Sequence, residues 1–483
     1  MIVLVNPAST PSPRKPLPMS VLAVASVLDG EFEYAIVDAN VEQDVLSRAA
    51  ALGARRAITA FAITVMPGPQ LCQAVPLSRA LKRTFPGVPL IWGGYFPSEH
   101  ADVVLRDPAV DYCIRGQGEL AFLALARVLA RGGALDTVAG LSYVADGQVR
   151  HNPTAPLVPL DGLPSWPYEQ LDMRQYFHRH YLGARVGAHH SSYGCPHACA
   201  FCAVVGIANR RWVAESPERV EGVLRYFKHK YAADAVQFHD MDFFISEQRT
   251  AAICDRVRHL GLTWWALGRV DELMRYKTAT WQSMKQSGLK MVFCGAESAS
   301  NATLAQMNKG GTSTAEQTLE LAIRTREFGI VPEFSFVVGN PPEPEEDLRA
   351  TLEFIRKVKA ANEAAEIILY VYAPVRGSSA VEEFPFPETL DEWVSDRWQS
   401  FALRRDPRTP WAPRSIRQRV RNFETVLNAY YPTVTDMRLT RRRRALLRAM
   451  AAWRYHGRID ATPFELNAMQ RVFHYQRPET TGF

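Results

Sequence analysis

Tyr193-Gly194-Cys195-Pro196-His197-Ala198-Cys199-Ala200-Phe201-Cys202 puts three cysteines in one short run. Thiolates separated by three and then two residues can hold three corners of a [4Fe–4S] cube, whereas a closed electron-transfer cluster takes four protein ligands. The spacing therefore predicts a cluster with one iron open to a ligand that is not protein. A zinc site is the alternative, with His189, His190 or His197 joining the thiolates. Such sites are commonly built from two separated ligand pairs, and the sequence holds no second Cys-x-x-Cys and no matching His pair. Cys72, Cys113, Cys254 and Cys294 are scattered, mostly in or beside apolar runs, where a free buried thiol is ordinary.

Working outward, the cysteine run ends the first of six candidate strands: Val186–Tyr193, Ala235–His239, Thr263–Leu267, Lys290–Cys294, Glu333–Val338 and Glu366–Tyr372. Helical stripes lie between them, including Val220, Val223, Leu224, Phe227 and Tyr231, then Leu348, Leu352, Ile355 and Val358. Six strand–helix units predict a partial (β/α)6 barrel over residues 181–380, with its active site at the C-terminal mouth of the strands. The cysteine loop falls at that mouth.

Upstream, Ile2–Val5, Glu33–Val37, Ala57–Val65, Val88–Trp92 and Asp111–Ile114 alternate with helical patterns such as Ser20–Leu28 and Pro69–Thr84. This predicts a doubly wound parallel sheet over residues 1–135, followed by a linker over 136–180. Ligands bind such sheets at the strands' carboxyl ends. The loops there carry Asn6-Pro7, Met66-Pro67-Gly68, Gly93-Gly94-Tyr95 and Gly116-Gln117-Gly118-Glu119. From Leu390 the composition turns to Trp, Arg and Leu at helical spacing, so residues 381–483 are expected to form a helical cap. Trp398, Trp411, Tyr430, Tyr431 and Trp453 serve there mostly as core or as pocket lining. The fold class expected is α/β, in three parts.

At 483 residues and 47% hydrophobic, the chain can bury several cores. A net charge of +6 and a pI near 8.9 are mild for this size and do not argue for nucleic acid. The one concentrated basic run is Arg441 to Arg444, which opens a helical segment and reads first as a solvated face. Unpaired cysteine spacing, with no signal peptide and no apolar span, predicts a reduced, cytoplasmic protein without a transmembrane segment.

These features together resemble the radical S-adenosylmethionine superfamily, in its branch with an N-terminal cobalamin-binding domain that includes hopanoid methylases and the anaerobic magnesium-protoporphyrin ester cyclase. The resemblance runs over residues 1–375. It is carried by the cysteine loop and by Phe238-His239-Asp240-Met241-Asp242-Phe243-Phe244, then Gly295-Ala296-Glu297-Ser298, Met307-Asn308-Lys309-Gly310 and Val338-Gly339-Asn340-Pro341-Pro342-Glu343. Upstream it is carried by Leu17-Pro18-Met19-Ser20, Asp38-Ala39-Asn40, Gly93-Gly94 and Gly116-Gln117-Gly118-Glu119.

The resemblance implies three cofactors: a [4Fe–4S] cluster on Cys195, Cys199 and Cys202, S-adenosylmethionine on the open iron, and cobalamin. Reductive cleavage of S-adenosylmethionine would give a 5′-deoxyadenosyl radical. It further implies Phe201, Asp240, Asp242, Glu297 and Ser298 near S-adenosylmethionine, with the methionine ammonium meeting Asp240 or Asp242 and the ribose meeting Glu297. A helix cap or internal ion pair is the plainer role for each of these acids. Met19, Met66, Gly93, Gly94, Gly116, Gly118 and Glu119 are expected near cobalamin.

The Asp-x-His-x-x-Gly string that ligates cobalt in many cobalamin domains has no counterpart, since Asp38-Ala39-Asn40-Val41-Glu42-Gln43 lacks both histidine and glycine. His100 is expected at the surface rather than on cobalt. The activity implied is methyl transfer to a poorly activated carbon of a small molecule, supplied with electrons by a low-potential flavodoxin- or ferredoxin-type donor. The alternatives are cyclisation or rearrangement on the same cofactors, a cobalamin-free radical enzyme, or a cofactor-binding sensor.

Overall fold

The structure is a computed structural model that describes the chain apart from residues 11, 13, 310–311, 341–343, 377–383, 400–413, 436–438 and 474–483. Gly310, Pro341, Pro342 and Glu343 of the quoted motifs, and Trp411, lie outside the described residues.

The first sheet contains β1 (Ile2–Asn6), β2 (Tyr34–Asp38), β3 (Ala60–Thr64), β4 (Leu90–Gly93), β5 (Tyr112–Ile114), β6 (Leu141–Ala145) and β7 (Gln148–His151). Their order is β2-β1-β3-β4-β5-β6-β7. The first five strands are parallel, and the last two form an antiparallel hairpin on the sheet's edge. Alternate residues of β1 feed opposite faces. Val3 and Val5 join Phe61, Ile63 and Trp92, while Ile2 and Leu4 join Val21, Ala25 and Phe122. Burial on both faces explains the continuous apolar runs. The hairpin falls within the stretch read as a linker. Its turn, Asp146 at φ 53° and Gly147 at φ 73°, has the paired positive φ values of the tight turn that suits strand twist.

The second sheet contains β8 (Val186–His189), β11 (Ala235–Phe238), β12 (Thr263–Arg269), β13 (Leu289–Glu297), β14 (Val331–Val338) and β15 (Glu366–Val371), all parallel and in sequence order. It is the expected partial barrel. One predicted strand divides: β8 stops at His189, and the chain then enters a two-stranded ribbon of β9 (Ser192–Gly194) and β10 (Trp212–Ala214). The helix Pro217–Tyr231 shows how the covering layer forms. The Ser216 side chain caps the Arg219 N–H, Pro217 opens the first turn, and Val220, Leu224 and Phe227 turn to the core.

The helices Arg414–Tyr430, Arg441–Gly457 and Phe464–Phe473 extend the barrel's outer core with Ile416, Val420, Phe423, Leu447 and Leu466. Residues 384–399 run the other way and give Leu390, Trp393 and Trp398 to a core of the first sheet. That return corrects the reading of His100. It is 5% exposed, with its ring among Phe96, Phe386 and Trp393. Trp398 and Tyr430 are core residues, Tyr431 is half-buried, and Trp453 stands exposed. Among the described residues no helix is long and apolar enough to cross a membrane.

Candidate active site

The cysteine loop leaves the ribbon at Gly194, whose φ of +83° and whose β-carbon position, 2.1 Å from the Arg211 carbonyl oxygen, admit only glycine. Its approach is fixed by Asp240, just beyond β11. That carboxylate accepts from the Ser191 hydroxyl at 2.6 Å and from the Ser191 and Ser192 amides. The loop's far side is pinned by Ala200 N–H donating to the Met307 carbonyl at 2.8 Å and by the Asn308 amide donating to the Ala198 carbonyl at 2.9 Å. Phe201 is buried with Met307, Val337 and Tyr372, and Cys199 and Cys202 pack against the same group.

Burial pushes Cys195 up to about 12, and Asp242, Cys202 and Cys199 push in the same direction. A positive iron centre would relieve that repulsion, so the donor set fits a metal–sulfur group. The Cys195 sulfur, a His197 ring nitrogen and an Asp242 oxygen lie within 4.8 Å of one another. This is the grouping a zinc site would use, but His197 Nε2 already pairs with Glu272 at 2.7 Å. His189 is likewise engaged by Glu215 at 2.8 Å, and burial pulls His190 down.

Asp242 is fully buried with one oxygen, Oδ2, outside any hydrogen bond to a donor. Burial first, and the Glu272 carboxylate second, hold its carboxyl well above the usual carboxylate range. Glu297 stands at the end of β13 with φ +65° and forms a buried ion pair with Lys309 at 2.7 Å. The Ser298 hydroxyl donates to Asp347 at 3.0 Å and is equally buried.

Two buried cations beside the cysteine loop were not singled out from the sequence. Arg269, the last residue of β12, donates to the Cys199 sulfur at 3.2 Å, to the Lys309 carbonyl at 2.6 Å and to Asp271. Burial opposes its charge, yet Asp271 and Cys199 outweigh it and raise its pKa. Lys309 is raised in the same way, by Glu297 and Cys199 against burial. An arginine closing a barrel strand, and a lysine inside the Met307-Asn308-Lys309 motif, were the available signals.

At the carboxyl end of the first sheet, Asp38 is a hub. It accepts from Asn6 at 2.8 Å, Asn40 at 2.9 Å and the Tyr176 hydroxyl at 2.8 Å, and Gln70 ties Asn6 to the Met66 amide. This string therefore organises loops rather than a metal. Met66 stands 55% exposed beside the switch in strand order between β1 and β3. A β-carbon on Gly93 would meet nothing within 4 Å, whereas Gly94, at φ +96°, would press one onto Thr64 Oγ1 at 3.0 Å and the Val65 amide at 3.2 Å. Gly93 therefore leaves open space beside it, whereas Gly94 is required by its φ and its close approach to β3. Gly116 takes its place by donating to the Ser98 hydroxyl at 3.0 Å. Gly118 packs over Val24 and Ile114, Met19 is partly buried against Leu17, Leu22 and Tyr168, and burial raises the Glu119 carboxyl.

The two sites are neighbours. The Gly116 β-carbon position lies 3.4 Å from the carbonyl oxygen of Ile207, in the short helix Val204–Ala208 that follows Cys202.

Residues 190–355 match the Radical SAM superfamily and residues 12–126 match the B12 binding domain. The chain belongs to the cobalamin-binding radical S-adenosylmethionine enzymes, whose cofactors are a [4Fe–4S] cluster, S-adenosylmethionine and cobalamin. It is 29% identical over 345 residues to an uncharacterized methyltransferase of Pyrococcus horikoshii, covering 71% of this chain and 73% of the relative. It is 22% identical to the anaerobic magnesium-protoporphyrin IX monomethyl ester cyclase of a Synechocystis species, over 64% of this chain and 62% of that one. In fold it is similar to the cobalamin-dependent S-adenosylmethionine radical enzyme OxsB with aqua-cobalamin bound. The TM-score is 0.64 at 18% identity, over 98% of this chain and 75% of OxsB.

Proposed function

We propose that the protein methylates a poorly activated carbon of a small molecule. The observation that carries this reading is the direct seating of the Gly116 loop on the helix Val204–Ala208, because it sets a loop expected near the corrin beside the loop expected to hold the cluster. Similarity to a methyltransferase over most of both chains supports it. When bound, the cofactors supply a 5′-deoxyadenosyl radical and a transferable methyl group.

The chain's own residues position these groups. Cys195, Cys199 and Cys202 hold the cluster. Arg269 and Lys309 neutralise the thiolates and offer donors to the carboxylate of S-adenosylmethionine. Asp240 is spent on the Ser191–Ser192 turn, so Asp242 is the acid that meets the methionine ammonium, which would take the place of its proton. Phe201 presents backbone to the adenine, Glu297 lies within the same pocket for the ribose, and Ser298 holds the turn that carries it. Gly93 and Gly94 let the corrin approach the sheet edge, with Met19, Met66, Gly116, Gly118 and Glu119 around it. A low-potential flavodoxin- or ferredoxin-type protein supplies the electron, and the expected setting is the cytoplasm.

Anaerobic reconstitution with iron, sulfide and hydroxocobalamin, followed by S-adenosylmethionine and a strong reductant, tests the reading. Stoichiometric corrinoid with both 5′-deoxyadenosine and S-adenosylhomocysteine is the expected result, with a substrate gain of about 14 daltons per displacement cycle. Retained corrinoid with 5′-deoxyadenosine alone would replace methyl transfer by cyclisation or rearrangement, the reading that similarity to the ester cyclase favours.

A further inference from the structure

The chain's charge is unevenly placed. Between Arg441 and Phe473 there are eight arginines and only two acids, Asp460 and Glu465. This net +6 equals that of the whole protein, so the rest of the chain is formally neutral. Arg448, Arg454 and Arg458 are spoken for by Glu363, Glu465 and Glu353. Among the described residues Arg441, Arg442 and Arg443 are exposed and meet no carboxylate, the Arg443 guanidinium lying instead over the Phe473 ring at 5.2 Å. Three adjacent unpaired cations are not needed to hold the helix to the fold.

The same segment concentrates exposed apolar side chains. Eight large ones are exposed among the described residues, and four of them fall here: Leu446 at 47%, Trp453 at 54%, Phe464 at 76% and Val472 at 66%. The helices Arg441–Gly457 and Phe464–Phe473 lie side by side and antiparallel, as the Arg443–Phe473 contact at one end and the Arg454–Glu465 pair at the other require. Leu447, Ala451 and Leu466 point into the core. Helical spacing groups Arg442, Leu446, Ala449 and Trp453 on one outward stripe of the first helix, and Phe464, Ala468 and Val472 on one stripe of the second. Protruding aromatic and aliphatic groups fringed by arginine suit a surface that needs no complementary shape. Protein partners are more often anchored through side chains set in pockets.

We infer that these two helices form a docking face for an anionic lipid bilayer, with Arg441, Arg442 and Arg443 on the headgroup phosphates and Leu446, Trp453, Phe464 and Val472 at the acyl boundary. Each arginine near an anionic surface strengthens binding severalfold at low ionic strength, and the apolar groups add to it once the charge has brought the helices to the surface.

Co-sedimentation of the anaerobically reconstituted protein with phosphatidylcholine vesicles, with and without phosphatidylglycerol, tests it. Association is expected only with phosphatidylglycerol, weakening as salt rises. It should fall at least about tenfold in Arg441→Glu/Arg442→Glu/Arg443→Glu and again in Leu446→Ser/Trp453→Ser/Phe464→Ser. Both variants change only exposed side chains, so circular dichroism and S-adenosylmethionine cleavage should match the parent. Absence of vesicle binding at low salt overturns the inference, as does binding that survives either variant. Self-association that Trp453→Ser abolishes, without vesicle binding, overturns it in favour of a second copy of the chain.

Discussion

At the mouth of the six-stranded sheet the site consists of side chains that hold one another: Arg269 on Cys199, Lys309 on Glu297, His197 on Glu272. At the carboxyl end of the seven-stranded sheet the proposed corrin site consists mainly of backbone, open at Gly93, held close to β3 at Gly94, with the Asp38 hub organising the neighbouring loops. The first arrangement suits a small, charged group bonded through sulfur, where geometry and local potential both count. The second suits a broad, flat ligand held over its face, where removing side chains matters more than supplying them. A substitution at one end should therefore damage one cofactor and spare the other.

The largest expected effect comes from Cys199→Ala. Loss of one of three thiolates should abolish cluster absorbance and S-adenosylmethionine cleavage, while corrinoid still copurifies. Cleavage that persists would remove the cluster assignment, and loss of corrinoid as well would show that the two ends are not independent. Arg269→Lys is next. It keeps the charge but not the planar fork that reaches Asp271 and the Lys309 carbonyl together. Cleavage should fall about a hundredfold with the cluster spectrum retained, the magnitude typical of losing one preorganised electrostatic group. An unchanged rate would reduce Arg269 to a structural brace.

The contrast also explains what could be read in advance. Cysteine spacing and six strand–helix units are local patterns from which the second sheet followed, and the five parallel strands of the first followed from their apolar runs. The break after His189 did not, because it depends on Asp240, 49 residues downstream of Ser191, capturing the turn. The burial of His100 depends on Phe386 and Trp393 returning to the first sheet from beyond the barrel. Pairing over such separations leaves no periodic trace. The hairpin of β6 and β7 is a different case. Its Asp146-Gly147 turn between alternating residues was a usable local signal that the linker reading passed over. Arg269 and Lys309 became functional candidates only when the fold set them against Cys199.

Gly94→Ala sharpens the other side of the comparison. A β-carbon at φ +96°, 3.0 Å from Thr64 Oγ1, should cost about 2 kcal/mol and push the loop toward the cavity. Corrinoid retention should weaken roughly tenfold by the same strain, with cluster content unchanged on equilibrium dialysis and iron analysis. Unaltered retention would mean that the corrin does not rest on this edge.

The smallest effect is at the seam. Glu99, on the helix after Gly94, lies against Gly206 of the helix after the cluster cysteines, where a β-carbon would come within 2.3 Å of Oε1. Burial pushes its carboxyl up to about 7 from an ordinary 4.5, with Arg376 opposing only in part. The folded state therefore favours the protonated form. The stability this contributes is fully present below about pH 4.5 and is lost as pH rises through about 7. Glu99→Gln imitates the protonated form at every pH. Allowing for partial solvent access, the variant should match the parent near pH 4.5 and exceed it by about 2 kcal/mol at pH 8 in denaturant melts. Parallel stability curves across that interval would mean that Glu99 reaches solvent, and that the corrin-facing loops and the cluster loop are less tightly joined than their contact at Gly206 implies.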